Sequence, residues 1–341
     1  MLTRTPVTPA QAAAIVAPLG EAVGVEPLTG GMFASVLAVD LAPHEGAPAG
    51  PRVVVKVTAA DTSRLLRYEH GIHGTEAAAY RAAHAAGLPV PRVLHVDTSR
   101  EHVDGDALVV TFLDGTLWST LELDPPATAA VRRELGTFMA RLHRVGRGRA
   151  DAPFGYPAPA SGLAAATWPE AVSLMVEAAL DDAARWGVDL PAERVRSAVE
   201  RQHDALSRVT VPRLVHADLW PGNVLLGPGS TREIVGVLDA ERALWGDPVL
   251  EVVGADQLGT GAVDPHVLAG YAATGDDLGL GDGTPGAGDP GAWARLWVYR
   301  AYFACLLAAE VPSRAYEGDW VAGYASAART SLARALDALD A

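Results

Sequence analysis

Apolar positions recur along the chain with two different periods, and the change from one to the other divides it. After Thr8-Pro9, an N-cap residue followed by a proline suited to the first helical position, an alanine-rich stretch predicts a short helix ending by Gly20. Apolar runs at 35–41 and 52–57 come next, with Pro43, Gly46, Pro48 and Gly50 between them. They predict two antiparallel strands joined by a loose hairpin. Residues 75–86 are spaced as a helix that Gly87 stops, and Pro89 and Pro91 then hold an extended entry to a strand at 92–96. A further strand at 107–113 ends in the turn Asp114-Gly115.

Beyond that turn the helical period takes over, at 128–144, 168–186, 191–207, 290–310 and 319–339. One strand-loop-strand section, 214–239, interrupts it. The pattern predicts an α+β chain with a small antiparallel-sheet N-terminal lobe, residues 1–114, and a larger, mainly helical C-terminal lobe, residues 115–341. The segment 279–291, rich in glycine and proline with the acids Asp282 and Asp289, reads as a mobile loop. Trp293, Leu296, Trp297 and 303–307 recur at helical spacing and read as core.

Composition narrows the function classes. Of 341 residues 49% are hydrophobic, enough for a large core and too many for a disordered chain. The 27 Lys and Arg against 41 Asp and Glu give a net charge of −14, which argues against binding nucleic acid, since phosphate affinity needs a clustered basic excess. Cys305 is the single cysteine, so the chain can close no internal disulfide and build no thiolate metal cluster. The apolar runs at 10–19 and 303–309 are too short to span a bilayer, and no secretory h-region follows the N-terminus, so a cytoplasmic location without membrane attachment is expected.

The stretch from Leu214 to Leu226 carries the chemistry. His216, Asp218 and Asn223 fall in the spacing H-x-D-x-x-x-x-N with apolar residues on both sides. This is the arrangement of a kinase-type catalytic loop, where the Asp orients an acceptor hydroxyl and takes its proton while the Asn holds magnesium. Sixteen residues beyond Asn223, an apolar strand delivers Asp239, followed by Ala240-Glu241. A second hard oxygen ligand for Mg²⁺ belongs there. Each residue alone also suits a turn, a cap or a buried histidine; the ordered combination points to phosphoryl transfer.

The N-terminal half offers a separate test, because such a site needs a cation for the nucleotide phosphates. Lys56 is the only lysine of the chain and lies inside the apolar strand 53–57, where its charge needs a partner. Glu76 falls in the helix that follows, and a strand Lys paired with a helix Glu positions phosphates in kinases. Before them, the turn containing Gly31, Met32 and Phe33 stands where a phosphate-covering loop belongs, although it is not G-x-G-x-x-G. Thr111 and Leu113 lie at the strand end that leads into an interlobe linker. His70 and His73 lack a third ligand for zinc, and no G-x-S-x-G elbow of a serine hydrolase is present.

On these residues the chain resembles the aminoglycoside phosphotransferase superfamily, which includes the fructosamine, choline and methylthioribose kinases. The resemblance runs from Gly30-Gly31 through Lys56 and Glu76 to His216–Asn223 and 239–248. It implies a two-lobed protein-kinase-like fold and a magnesium-dependent transfer of the γ-phosphoryl group of ATP, or GTP, to a hydroxyl of a small molecule. It implies Asp218 as catalytic base, Asn223 and Asp239 as magnesium ligands, and Lys56 with Glu76 on the nucleotide phosphates. Gly31, Met32 and Phe33 would cover those phosphates, and backbone groups of Thr111 and Leu113 would meet the adenine. His216 and Glu241 are supporting positions, Glu241 as a further metal or substrate contact.

The spelling Asp218-Leu219-Trp220-Pro221-Gly222-Asn223 is similar to the fructosamine-kinase-like members, and Ala217 replaces the usual glycine of H-G-D. The acceptor is expected between the catalytic loop and the C-terminal helices, where Glu177, Asp181 and Asp182 would meet a cationic group. Three functions follow from the resemblance. The first is an antibiotic kinase acting on an aminoglycoside, peptide or nucleoside type. The second is a metabolic sugar, aminosugar or fructosamine kinase, and the third a nucleotide-binding pseudokinase regulator. A monomer or homodimer fits each.

Overall fold

Lys56 owes its place to a sheet of near neighbours. The computed structural model describes residues 5–28, 34–43, 49–146, 152–229 and 233–341. Helix α1 (Pro9–Val16) starts at Thr8, whose hydroxyl accepts from the Gln11 amide while the Gln11 side chain accepts from the Thr8 amide, a capping box. Five antiparallel strands follow: β1 (Ala22–Pro27), β2 (Ser35–Leu41), β3 (Arg52–Ala59), β4 (Val93–Asp97) and β5 (Gly105–Thr111). Their order is β1-β2-β3-β5-β4, and helix α2 (Ile72–Ala85) connects β3 to β4.

The strand period of two sets the faces. Val53, Val55 and Val57 are buried with Ile15, Val39 and Val109 on one face. Lys56, opposite Val36 and Leu108, points to the other, toward α2. β1 was not expected from the sequence, because Ala22-Val23-Gly24-Val25-Glu26-Pro27 has a half-exposed pattern with an edge proline. It makes the Lys56 strand the third in the chain.

The C-terminal lobe contains β6 (Thr116–Leu117), α3 (Pro125–Leu142), β7 (Phe154–Gly155), β8 (Ala164–Ala165), α4 (Trp168–Arg185), α5 (Ala192–Arg201) and α6 (His203–Ser207). Then come β9 (Arg213–Val215), β10 (Val224–Leu226), β11 (Ile234–Val237), β12 (Leu244–Gly246), α7 (Leu250–Ala255), α8 (Pro265–Ala272), α9 (Pro290–Ser313) and α10 (Trp320–Asp340). α9 is the core helix, packed on α4, α7 and α10, with Leu296, Val298 and Leu307 fully buried. α3 crosses α8 where a Cβ on Gly136 or Gly270 would collide with the facing backbone, so glycine on both sides permits the close approach.

Two expectations change. The single helix at 191–207 breaks at Gln202 into α5 and α6, and α7 and α8 are additional, each too short to show a helical period in sequence. The segment 279–291 is knitted rather than loose. Asp289 N donates to Gly279 O at 2.8 Å, Val263 N to Gly283 O at 2.8 Å, and the Asp289 side chain caps α9. Its glycines supply left-handed backbone at 279, 281, 283, 286 and 288. Among the described residues no helix is long and apolar enough to cross a membrane.

Candidate active site

Short strands frame the catalytic loop: β9 leads in, and β10 leads out after a helical turn at Pro221–Asn223. Asn223 folds back on Asp218, its Nδ2 donating to Asp218 Oδ2 at 2.8 Å and to the Asp218 carbonyl at 2.9 Å. Between His216 and Asp218, Ala217 adopts a left-handed backbone with φ of 61°. This is the position where a glycine would sit without strain. Glu251 of α7, fully buried, holds the bend: its two oxygens accept from the amides of His216 (2.7 Å) and Ala217 (2.8 Å). His143 stands 3.4 Å from Glu251 Oε2 and 3.0 Å from the Tyr271 hydroxyl. Burial would raise the Glu251 carboxyl, but His143, His216 and the accepted hydrogen bonds hold it below its ordinary value.

Asp239 reaches the same place through a hairpin. β10 pairs with β11, Val224 opposite Val237, and Leu238 N donates to Asn223 O at 2.8 Å, so Asn223 and Asp239 emerge from adjacent strand ends. Asp239 is itself left-handed, with φ of 57°. Lys56 Nζ lies 2.6 Å from Asp239 Oδ1 and 2.7 Å from Glu76 Oε1. Burial opposes the charge on Lys56, yet Asp239 and Glu76 raise its pKa well above the usual lysine value. Burial likewise works against the Glu76 carboxylate, but Lys56 and His73 bring it down to about 2.

The donor set fits a magnesium ion. Asn223 commits its Nδ2 to Asp218, which leaves its Oδ1 as a hard oxygen donor, and the Asp239 side chain is 43% exposed at the cleft. Among the described residues no three His, Cys, Asp or Glu side chains form a metal group. A Mg²⁺ held by one amide oxygen, one carboxylate and phosphate oxygens needs no such group.

A buried polar network lies behind Asp218, and sequence reasoning missed it. Arg242, three residues after Asp239, stands 3.5 Å from Asp218 Oδ1 and donates to Glu310 Oε1 of α9 at 2.7 Å. Tyr68 donates to the same Glu310 oxygen at 2.9 Å, and Arg314 donates to the Tyr68 hydroxyl at 2.8 Å and to Glu69. Gln257, in the turn after α7, donates from Nε2 to Asp218 Oδ1. The Asp218 carboxyl is raised by burial, a shift that Arg242 and His216 oppose. The only sequence signal for Arg242 is a basic residue next to Asp239-Ala240-Glu241.

The remaining expected residues divide. His216 is buried, its backbone held by Glu251, and its two ring nitrogens have no hydrogen-bond partner among the described residues. Glu241 feels Asp239, Lys56 and Arg314; burial and the Asp239 carboxylate push it up to about 8 against the pull of Arg314. The Thr111 amide donates to Arg92 O (3.0 Å) and its hydroxyl oxygen accepts from Arg92 N (2.9 Å), so the amide is already spent within the sheet. Leu113 packs toward Gly236, at the interlobe linker. Gly31, Met32 and Phe33 lie outside the described residues.

Two of the acids expected to meet a cationic acceptor are already engaged elsewhere. Glu177 is clasped by Arg196 at 2.8–3.0 Å, and Asp182 accepts from the Arg67 amide at 2.7 Å. Asp181 is exposed on α4.

A strand-borne Lys with its helical Glu, and an Asp and Asn on one loop facing a strand-end Asp, come together in a two-lobed protein-kinase-like fold. The model of the phosphotransferase enzyme family (APH) matches residues 45–287, more than half of the chain, and the chain belongs to that family. The 4-hydroxytryptamine kinase of Psilocybe cubensis is 30% identical over 145 residues, 40% of this chain and 38% of that enzyme, so the match spans well under half of that relative. Two solved structures share the fold. A Ralstonia eutropha protein assigned to the aminoglycoside phosphotransferases superposes with a TM-score of 0.61 at 12% identity, over 97% of each chain. A thermostable mutant of aminoglycoside phosphotransferase APH(4)-Ia, in ternary complex with AMP-PNP and hygromycin B, superposes with a TM-score of 0.60 at 17% identity, over 96% of this chain and 97% of that one.

Proposed function

We propose that the enzyme transfers the γ-phosphoryl group of ATP to a hydroxyl of an amine-bearing small molecule, with an antibiotic as the first class of acceptor. The convergence of Lys56, Asp218, Asn223 and Asp239 carries this reading. All four are in place, which speaks against a pseudokinase. The acceptor class rests on the relatives, one acting on a hydroxytryptamine and another binding hygromycin B, and on the net charge of −14, which favours a cation. A fructosamine or aminosugar is the second class, favoured by the D-L-W-P-G-N spelling at 218–223.

The nucleotide would lie between residues 1–114 and 115–341. Lys56, fixed by Glu76, binds its phosphates. Asn223 and Asp239 would hold Mg²⁺, which offsets charge on the β- and γ-phosphoryl oxygens. Asp218 orients the acceptor hydroxyl and takes its proton as the hydroxyl oxygen bonds to the γ-phosphorus. The bond to the β,γ-bridging oxygen breaks, and its electron pair leaves on ADP. Arg242 stands behind the base and opposes the upward shift that burial imposes on its carboxyl.

The test is ADP release from Mg-ATP across aminoglycosides, peptide and nucleoside antibiotics, hydroxylated arylalkylamines, aminosugars and fructosamines, with mass spectrometry of each acceptor. One acceptor class gaining a single phosphoryl group is the expected result. Mg-ATP binding with no acceptor modified would contradict the proposed acceptor classes.

A further inference from the structure

Among the described residues, Gln257 is the one hydrogen-bond donor on Asp218 that the transfer step above does not use. Asn223 hydrogen-bonds Asp218 Oδ2 and the carbonyl oxygen, while Arg242 stands beyond hydrogen-bond range, 3.5 Å from Oδ1, so Oδ1 is the oxygen placed to receive the acceptor proton. On Oδ1 sits the carboxamide of Gln257, donating from Nε2. The turn that delivers it is anchored from several elements. Arg300 of α9 donates to Gly261 O at 2.7 Å, Ser331 of α10 to Gly259 O at 3.2 Å, and Gly259 N to Asp256 O at 3.0 Å. α7, which precedes the turn, is locked to the catalytic loop: a Cβ on Gly254 would fall 2.4 Å from the Ala217 carbonyl carbon, and Glu251 holds the loop amides. The same rigid segment thus shapes the base and covers it.

We infer that Gln257 guards the base, its amide holding on Asp218 Oδ1 the place that an acceptor hydroxyl must take and thereby denying it to water. The inference rests on the phosphotransferase reading. A carboxamide N–H can donate to the carboxylate but brings neither a nucleophilic oxygen nor a proton for Asp218 to remove, so a capped base is silent. Water in the same place would be activated. Its oxygen would bond to the γ-phosphorus, its proton would pass to Oδ1, and the bond to the bridging oxygen would break to release ADP and inorganic phosphate. An acceptor gains entry because it brings contacts of its own with the cleft, whereas water brings one or two hydrogen bonds. Gln257 is therefore a positioning residue that ties phosphoryl transfer to acceptor binding.

The experiment is acceptor-free Mg-ATP hydrolysis by the full-length protein, followed as inorganic phosphate from pH 5 to 9, with Mg-ATP affinity measured on each variant. Q257L should bind Mg-ATP as the wild type does and hydrolyse it about ten-fold faster, the scale of one hydrogen bond to a charged group. Adding D218N should abolish the gain. Q257E, of the same shape, puts a second carboxylate beside Asp218 and should move the acid limb of the hydrolysis profile to higher pH. Equal hydrolysis in wild type and Q257L, or a gain that survives D218N, would overturn the guard role and leave the phosphotransferase reading standing. Failure of the wild type to bind Mg-ATP would overturn that reading, and the guard with it.

Discussion

Lys56 Nζ lies 2.6 Å from Asp239 Oδ1, across 183 positions of sequence and from the sheet of one lobe to the catalytic hairpin of the other. The same ammonium holds Glu76 at 2.7 Å. The carboxylate proposed for the metal is thus already paired with the cation proposed for the phosphates. A magnesium nucleotide replaces one ion pair by two: metal on Asp239 and phosphate on Lys56. Bare ATP would instead bring phosphate charge to an uncompensated Asp239. ATP affinity should therefore fall at least about ten-fold when EDTA removes Mg²⁺, a gap of about 1.4 kcal/mol readable by calorimetry. Equal affinity with and without the metal would remove Asp239 from the ligand role, and D239A should bind ATP alike in both conditions.

Lys56→Ala removes the cation proposed for the phosphates and strands Glu76. Breaking a buried pair from one side costs about 3–5 kcal/mol, and most of that is the orphaned charge. Lys56→Met combined with Glu76→Gln should recover much of the melting temperature lost in Lys56→Ala, while phosphotransfer stays down by about 10²-fold or more. Recovered activity in the double variant would show that the pair is structural only.

Glu251 holds the loop at His216–Asp218 through two backbone amides. Glu251→Ala leaves the buried amides of His216 and Ala217 unpartnered, at about 1–3 kcal/mol each. The left-handed Ala217 then loses its restraint. Melting temperature and kcat should both drop while Mg-ATP affinity, assigned in the proposal to Lys56, Asn223 and Asp239, changes little. A variant with altered nucleotide affinity and normal kcat would contradict this division.

Glu76 ties stability to pH. Its carboxyl sits at about 2 in the fold against 4.5 for the free side chain, so its contribution is complete above about pH 4.5 and is lost as pH falls toward 2. The stability difference between wild type and Glu76→Gln should shrink over that interval in urea titrations. A constant difference would mean that Glu76 is not ionised in the native protein.

The expected site residues that the structure brings together share a short span or an unusual identity. Asp218 and Asn223 are five apart on one loop, and Asp239 returns to them through a hairpin of two apolar strands. Lys56 announced itself as a lone lysine inside a valine run. What stayed hidden is held by long-range packing. Arg242 meets Glu310 across 68 positions, Gln257 meets Asp218 across 39, and Arg314 meets Glu69 across 245. Nothing in local period or spacing marks such partners. The partners of two acids of α4 stayed hidden for the same reason: charge along a helix does not reveal that Arg196 and the Arg67 amide already hold them. β1 escaped because half-exposed edge strands lack a clean alternation.

The most direct test of the site follows the γ-phosphoryl group itself. Wild type and Asp218→Asn would be given γ-³²P-labelled Mg-ATP with an amine-bearing hydroxyl acceptor drawn from the panel, with nucleotide affinity measured in parallel. Label should move to the acceptor with the wild type, while Asp218→Asn keeps its Mg-ATP affinity and transfers about 10²–10⁴-fold more slowly. Undiminished transfer by Asp218→Asn would contradict the account at its centre.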